Sequence, residues 1–228
     1  MDDKCLIAKC IALMSAPKYA KERARAHGYF RGMLLPSAYF GSVSWMSHHL
    51  AGHPMVANGR FVRQTIRCRC LILGPNGVQQ LGVPVRKHGN LAQMEDILID
   101  DSQPWRARHW RALTSAYRNS PYFEYFEDEI RGVIMPPEPQ LHLAEFNAQS
   151  LAATLRLMAT RPKTEKTSAH AHINPWDRHD RPFADRLAQQ PYRQVWSDRY
   201  PFEPDLSILD LLFCTGRGYA EHLLKVEG

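Results

Sequence analysis

Three sets of residues in this 228-residue chain have the types and spacing that chemistry requires. His109 and Tyr117 are the titratable members of a stripe formed by Trp105, His109, Ala112, Leu113, Ala116 and Tyr117, whose three- and four-residue steps place them on one helix face. An imidazole held there is either a core group with a satisfied hydrogen bond or an acid, base or substrate anchor on a rigid element. Arg63, Thr65, Arg67 and Arg69 hold alternate positions within 61–73, so a strand would set three guanidiniums on one face, with successive side chains on that face about 6.6 Å apart. Such a row is either a solvated outer face or a cradle for carboxylate or phosphate, whose oxygens match the guanidinium fork. Asp210 interrupts the otherwise apolar run L-S-I-L-D-L-L-F-C-T. A carboxylate in so buried a helix must be protonated, paired or hydrogen-bonded. It can back-bond to the Ser207 amide as half of a capping box, pair with a guanidinium of the hairpin, or orient His109.

The elements that must hold these groups follow from periodicity and turn chemistry. Residues 33–40 read as a first strand, 44–50 as a helix and 53–57 as a second strand, an order that implies a crossover and a parallel pair. The strongest β signal runs from 61 to 85, where Gly74-Pro75-Asn76-Gly77 turns a hairpin between strands 61–73 and 78–85. An edge strand is expected at 94–100. The His109 helix follows, with Asp101 or Ser102 as cap and Arg106, Arg108, Arg111 and Arg118 on its outer face. Ser120-Pro121 opens another helix, 141–159 makes a third with Asn147 as its polar exception, 192–200 reads as a strand, and a last helix capped by Asp205 or Ser207 stops at Gly216. The expected fold class is α/β: a mixed sheet containing the arginine-bearing hairpin, flanked by helices, in one domain over 33–228.

The totals narrow the function classes. Net charge is +6, yet residues 1–32 alone carry +4, which leaves little basic excess on the body and argues against nucleic acid as the partner. Those residues read as a basic extension, and Met33 offers an alternative start of translation. Five cysteines without paired spacing suit a reducing cytoplasm, and no stretch is long and apolar enough for stable membrane insertion. Residues 161–190 read as a flexible, histidine-rich loop. His170, His172, Asp177, His179 and Asp180 there raise a metal-dependent hydrolase as an alternative, though ligands without a rigid surround seldom define a site. No cofactor or metal is expected.

Several stretches in order, L-P-S-A-Y-F-G near residue 35, F-V-R-Q-T-I-R-C-R-C-L-I from 61, V-P-V from 83, W-x-x-x-H-W from 105, S-P-Y-F-E-Y from 120 and P-x-L-S-I-L-D-L-L-F-x-x-G from 204, resemble the WbqC-like family. Members occur in gene clusters for surface polysaccharide, including O-antigen, and transfer of glycine onto an amino sugar has been proposed for some. The resemblance implies a cytoplasmic step on a nucleotide-linked or lipid-linked sugar, with an acyl or aminoacyl donor, and supplies no catalytic residues to carry over. Cys68 stands where the R-N-R-type motif has an asparagine. The expected reaction is therefore group transfer onto a sugar amine. In it His109 is the base, Asp210 orients it, Arg63, Arg67 and Arg69 grip phosphate or carboxylate, and Tyr39 and Tyr117 give stacking or hydroxyl contacts. A non-catalytic sugar-phosphate-binding or scaffold protein of the same pathway is the alternative, marked by an open arginine face without convergent titratable groups.

Overall fold

The computed structural model describes residues 35–53, 55–56, 59–139, 141–161 and 190–224. The basic extension and residues 162–189 of the histidine-rich loop, with the five metal-ligand candidates, lie outside them. Within the described residues the chain is mixed α/β. Strand β1 (Leu35–Pro36), helix α1 (Val43–Leu50) and strand β2 (Met55–Val56) form a crossover unit with a parallel β1–β2 pair. Strands β3 (Arg69–Gly74) and β4 (Gly77–Gly82) form the antiparallel hairpin. Helices α2 (Trp105–Tyr117), α3 (Phe123–Ile134), α4 (Leu143–Met158) and α5 (Ile208–Leu224) complete it. The parallel and antiparallel pairs are separate two-stranded sheets.

The hairpin turns at Pro75-Asn76, with Gly77 at φ 95° supplying the positive angle that a side chain resists. Upstream, the strand expected over 61–73 begins only at Arg69. Thr65 Oγ1 donates to the Val62 carbonyl at 2.8 Å, the Cys68 amide to the Thr65 carbonyl at 3.1 Å, and Gln64 sits at φ 62°. A threonine bonding its own neighbourhood offers the backbone a turn in place of a ladder, and here the turn wins. The alternation that would have aligned three arginines is thereby broken.

Helix α2 lies along β3, burying Trp105, His109, Leu113, Ala116 and Tyr117 against it, and α5 packs against α1, α4 and β3. The start of α5 is stitched to two other segments. The Ser207 amide donates to the Leu71 carbonyl at 2.8 Å, its hydroxyl to the Phe40 carbonyl at 2.9 Å, and the Ile208 amide to the Gly41 carbonyl at 2.9 Å. Ser207 also caps α5, accepting from the Leu209 amide at 3.3 Å. Asp205 bonds instead to the first turn of α1, where its carboxylate accepts the Ser44 amide at 3.0 Å beside the N-cap Ser42. Three further expectations change. Asp101 does not cap α2; its carboxylate accepts from Trp105 Nε1 at 2.6 Å and Arg106 Nε at 3.1 Å. Residues 94–100 hold a short 3-10 turn (Met94–Asp96) and single bridges at Leu98 and Ile99, and 192–200 is loop and turn with no strand.

Helix α5 kinks at Gly216 and then continues. Gly216 has φ 72° and ψ 179°, a combination open essentially to glycine, and a Cβ there would stand 2.7 Å from the Tyr122 ring. Gly216→Ala therefore costs roughly 2 kcal/mol or more of stability, read as a lowered urea midpoint with an unchanged slope.

Candidate functional site

The structure resolves the expected site residues into two buried clusters and a surface set. In the first cluster, Tyr39 from the loop after β1 meets His109 from α2: the phenol oxygen is 2.9 Å from His109 Nδ1, and the rings stack at 5.8 Å. Trp105 closes the imidazole edge-on at 4.9 Å, and Phe146 of α4 stacks on Tyr39 at 5.3 Å. His109 is 6% exposed and Tyr39 0%. Burial pulls the imidazole down to about 4; the Gly82 carbonyl, which accepts from the ring N–H, opposes this, and the Arg106 charge adds to it. At neutral pH the ring is thus uncharged. With its N–H given to Gly82, Nδ1 accepts and the Tyr39 hydroxyl donates. Burial raises the Tyr39 phenol well above its ordinary value, so that hydroxyl keeps its proton.

Hydrogen bonds tie the segments that carry this pair to two others. Tyr39 is tied to the turn before β3 by its amide, which donates to the Ile66 carbonyl at 3.0 Å. One residue beyond Phe146, Asn147 donates through Nδ2 to Ser37 Oγ at 3.0 Å and to the Arg67 carbonyl at 2.8 Å. These bonds fix the amide's orientation, because the carbonyl of Arg67 can face only the NH2 end. Asn147 Oδ1 is left as a buried acceptor with no donor among the described residues, on a side chain 2% exposed. A buried acceptor in that state calls for an explanation, a water or a ligand donor among them. Arg67 itself is buried, and its carbonyl holds Asn147. In the sequence Asn147 stands out only as the polar exception of its helix, and its spacing says nothing of its partners.

The second cluster surrounds Asp210, which is 0% exposed. Its Oδ1 accepts from the Tyr117 hydroxyl at 2.8 Å, and its Oδ2 from the Tyr192 hydroxyl at 2.7 Å and Gln194 Nε2 at 3.1 Å. Burial raises the carboxyl, and these three donors pull the other way. The side chain does not turn back to the Ser207 amide, which is spent on Leu71, and it makes no bond to His109 or to an arginine. Tyr117 also accepts the Leu73 amide at 3.2 Å near the hairpin turn, whereas His109 faces Gly82 at the hairpin's open end. The two clusters are therefore two helical turns apart along α2, about 12 Å at the usual rise.

The remaining arginines are at the surface. Arg63 Nε donates to His88 Nε2 at 2.8 Å, and Arg69 Nη1 to Gln80 Oε1 at 3.2 Å. Lys87, His88, Asn90 and Asp96 line an open cavity of about 620 Å3 beside Arg63. Among the described residues no three histidine, cysteine or acidic side chains gather as a metal site, and no helix is long and apolar enough to cross a membrane. Cys214 is no candidate nucleophile, since burial pushes its thiol far up.

The model of the WbqC-like protein family matches residues 54–179, more than half of the chain. The chain belongs to that family. Within the WbqC-like match lie the hairpin, α2, α3 and α4, and hence His109, Arg63, Arg67, Arg69, Tyr117 and Asn147; Tyr39 and Asp210 fall on either side of it. No curated protein and no solved structure matches the chain.

Proposed function

We propose that this WbqC-like protein is a group transferase that moves an acyl or aminoacyl group onto the amine of a nucleotide-linked or lipid-linked sugar in cytoplasmic surface-polysaccharide biosynthesis. The observation that carries this is the Asn147 Oδ1 acceptor, buried and without a donor, in the same cluster of segments as a neutral imidazole and a protonated tyrosine. An amine N–H is the donor such an oxygen lacks. In the step, the amine nitrogen bonds to the donor's carbonyl carbon, and the carbonyl's bond to its leaving group breaks with the electron pair going to the leaving group. The amine proton passes to the Tyr39 oxygen as the tyrosine's own proton passes to His109 Nδ1. Arg67 holds Asn147 through its carbonyl, Asp210 fixes Tyr117 and so the seat of α2, and Arg63 and Arg69 stand outside this path on the surface.

A specific observation favours the non-catalytic reading: Tyr39 and His109 are sealed from solvent, while Asp210 has all its donors inside the protein. One experiment separates the two. A nucleotide-linked amino sugar and an activated glycine thioester are incubated with the full chain, and transfer is followed by the mass gain of the sugar. Transferase action predicts that Tyr39→Phe and His109→Gln lower the rate about a hundredfold or more while thermal unfolding shows the variants folded. Transfer that survives both substitutions, or that the unaltered protein never shows while still binding the sugar, leaves the binding reading in its place.

A further inference from the structure

Between the hairpin turn and the outer face of α2 runs an open groove of about 730 Å3, bounded by residues 74–80 on one wall and by Arg108, Arg111, Ala112 and Ser115 on the other. It exists because both walls are cut back. Positions 108, 111, 112 and 115 form one helical stripe, and two of them are small; opposite, Gly74 and Gly77 carry no side chain. The volume falls in the range of small-molecule sites. The turn wall is held in place, since Tyr200 donates its hydroxyl to the Pro75 carbonyl at 3.0 Å.

The chemistry of the lining is one-sided. Among the described residues, two arginines line it and no acidic residue does. Arg108 gives one N–H to Gln103 Oε1 at 3.3 Å and Arg111 gives its Nε–H to the Ala107 carbonyl at 3.4 Å; both side chains are exposed, and a guanidinium has five donors in all. Three carboxamides, Asn76, Gln79 and Gln80, complete the walls. Gln80 Oε1 is taken by Arg69 Nη1, which leaves its NH2 end as a donor. Arginines three residues apart on a helix have Cβ atoms about 5–6 Å apart, a separation suited to two linked phosphoryl groups with one fork on each. Carboxamides beyond them can both donate to and accept from hydroxyls and a base edge.

We infer that this groove binds a nucleoside diphosphate, with Arg108 and Arg111 on the two phosphoryl groups and Asn76, Gln79 and Gln80 on the nucleoside. This deepens the proposed function by giving the sugar its carrier, and it rests on that reading only for the sugar. Binding is measured without turnover, so the two fail separately. Isothermal titration of the full chain with UDP, inorganic pyrophosphate and inorganic phosphate is the test. UDP and pyrophosphate bind more tightly than phosphate, and Arg108→Ala with Arg111→Ala weakens both by about tenfold or more. Arg193→Ala, an exposed cation elsewhere, leaves them unchanged, as does His109→Gln, even where it abolishes transfer. The melting temperature of the double variant confirms its fold. Absence of UDP and pyrophosphate binding at millimolar concentration, binding indifferent to both arginines, or an equal loss in Arg193→Ala overturns the inference.

Discussion

Asp210→Ala unfolds under conditions in which the unaltered protein is folded, its stability lower by roughly 3–5 kcal/mol. The alanine removes a fully buried carboxyl that accepts from Tyr117, Tyr192 and Gln194, leaving three donors without an acceptor. Each stranded donor costs about 1–3 kcal/mol, partly recovered where the cavity admits water. In a domain of this size that is a fall of roughly 10 °C in melting temperature. Tyr192→Phe removes one donor and leaves the acceptor served by two, so its cost is about 1 kcal/mol. Thermal unfolding followed by tryptophan fluorescence checks both values. A neutral Asp210→Ala would mean that the cluster does not hold α5 to α2. Acid does not break this cluster. The folded carboxyl is raised, so its contribution is complete below the ordinary carboxylate value and is lost only as pH climbs through the raised one.

The contrast between these two buried clusters shows what was legible in the chain. Helix α2 is readable from Trp105, His109, Leu113, Ala116 and Tyr117, and the hairpin from Asn76-Gly77, because both signals are local periodicities. The burial of His109 and Asp210 follows from the same patterns. Their partners do not. Tyr39 precedes His109 by 70 positions and Tyr117 precedes Asp210 by 93, and nothing local couples such pairs. The arginine row failed for a local reason that was visible but outweighed: Thr65 sits where its hydroxyl can reach the Val62 carbonyl, and one such bond ended the strand pattern. The basic groove was hidden by success. Arg108 and Arg111 fit the polar face of α2 so well that only the hairpin turn opposite them gives them a setting.

Between pH 6.5 and pH 4 the protein loses stability that a His109→Gln variant does not lose. Folded His109 is held down to about 4, against an ordinary 6.5, chiefly by burial. The folded state therefore resists a proton that the unfolded chain takes up, so stability from this group is complete above 6.5, falls as pH drops, and is gone below about 4. The gap is worth about 3 kcal/mol, large beside a net stability of roughly 5–15 kcal/mol. His49, also lowered by burial, adds to the slope in the same window, so its own variant must be measured beside that of His109. In structural terms, a protonated ring would turn Nδ1 from acceptor to donor and set it against the Tyr39 O–H, which burial keeps protonated. Urea midpoints at half-unit pH steps give the test: the unaltered curve bends downward below 6.5, and the His109→Gln curve is flatter by about 3 kcal/mol at pH 4. Parallel curves would mean that the imidazole titrates as freely in the folded protein as in the unfolded chain. It could then not be the sealed, neutral group on which the proton path through Tyr39 depends.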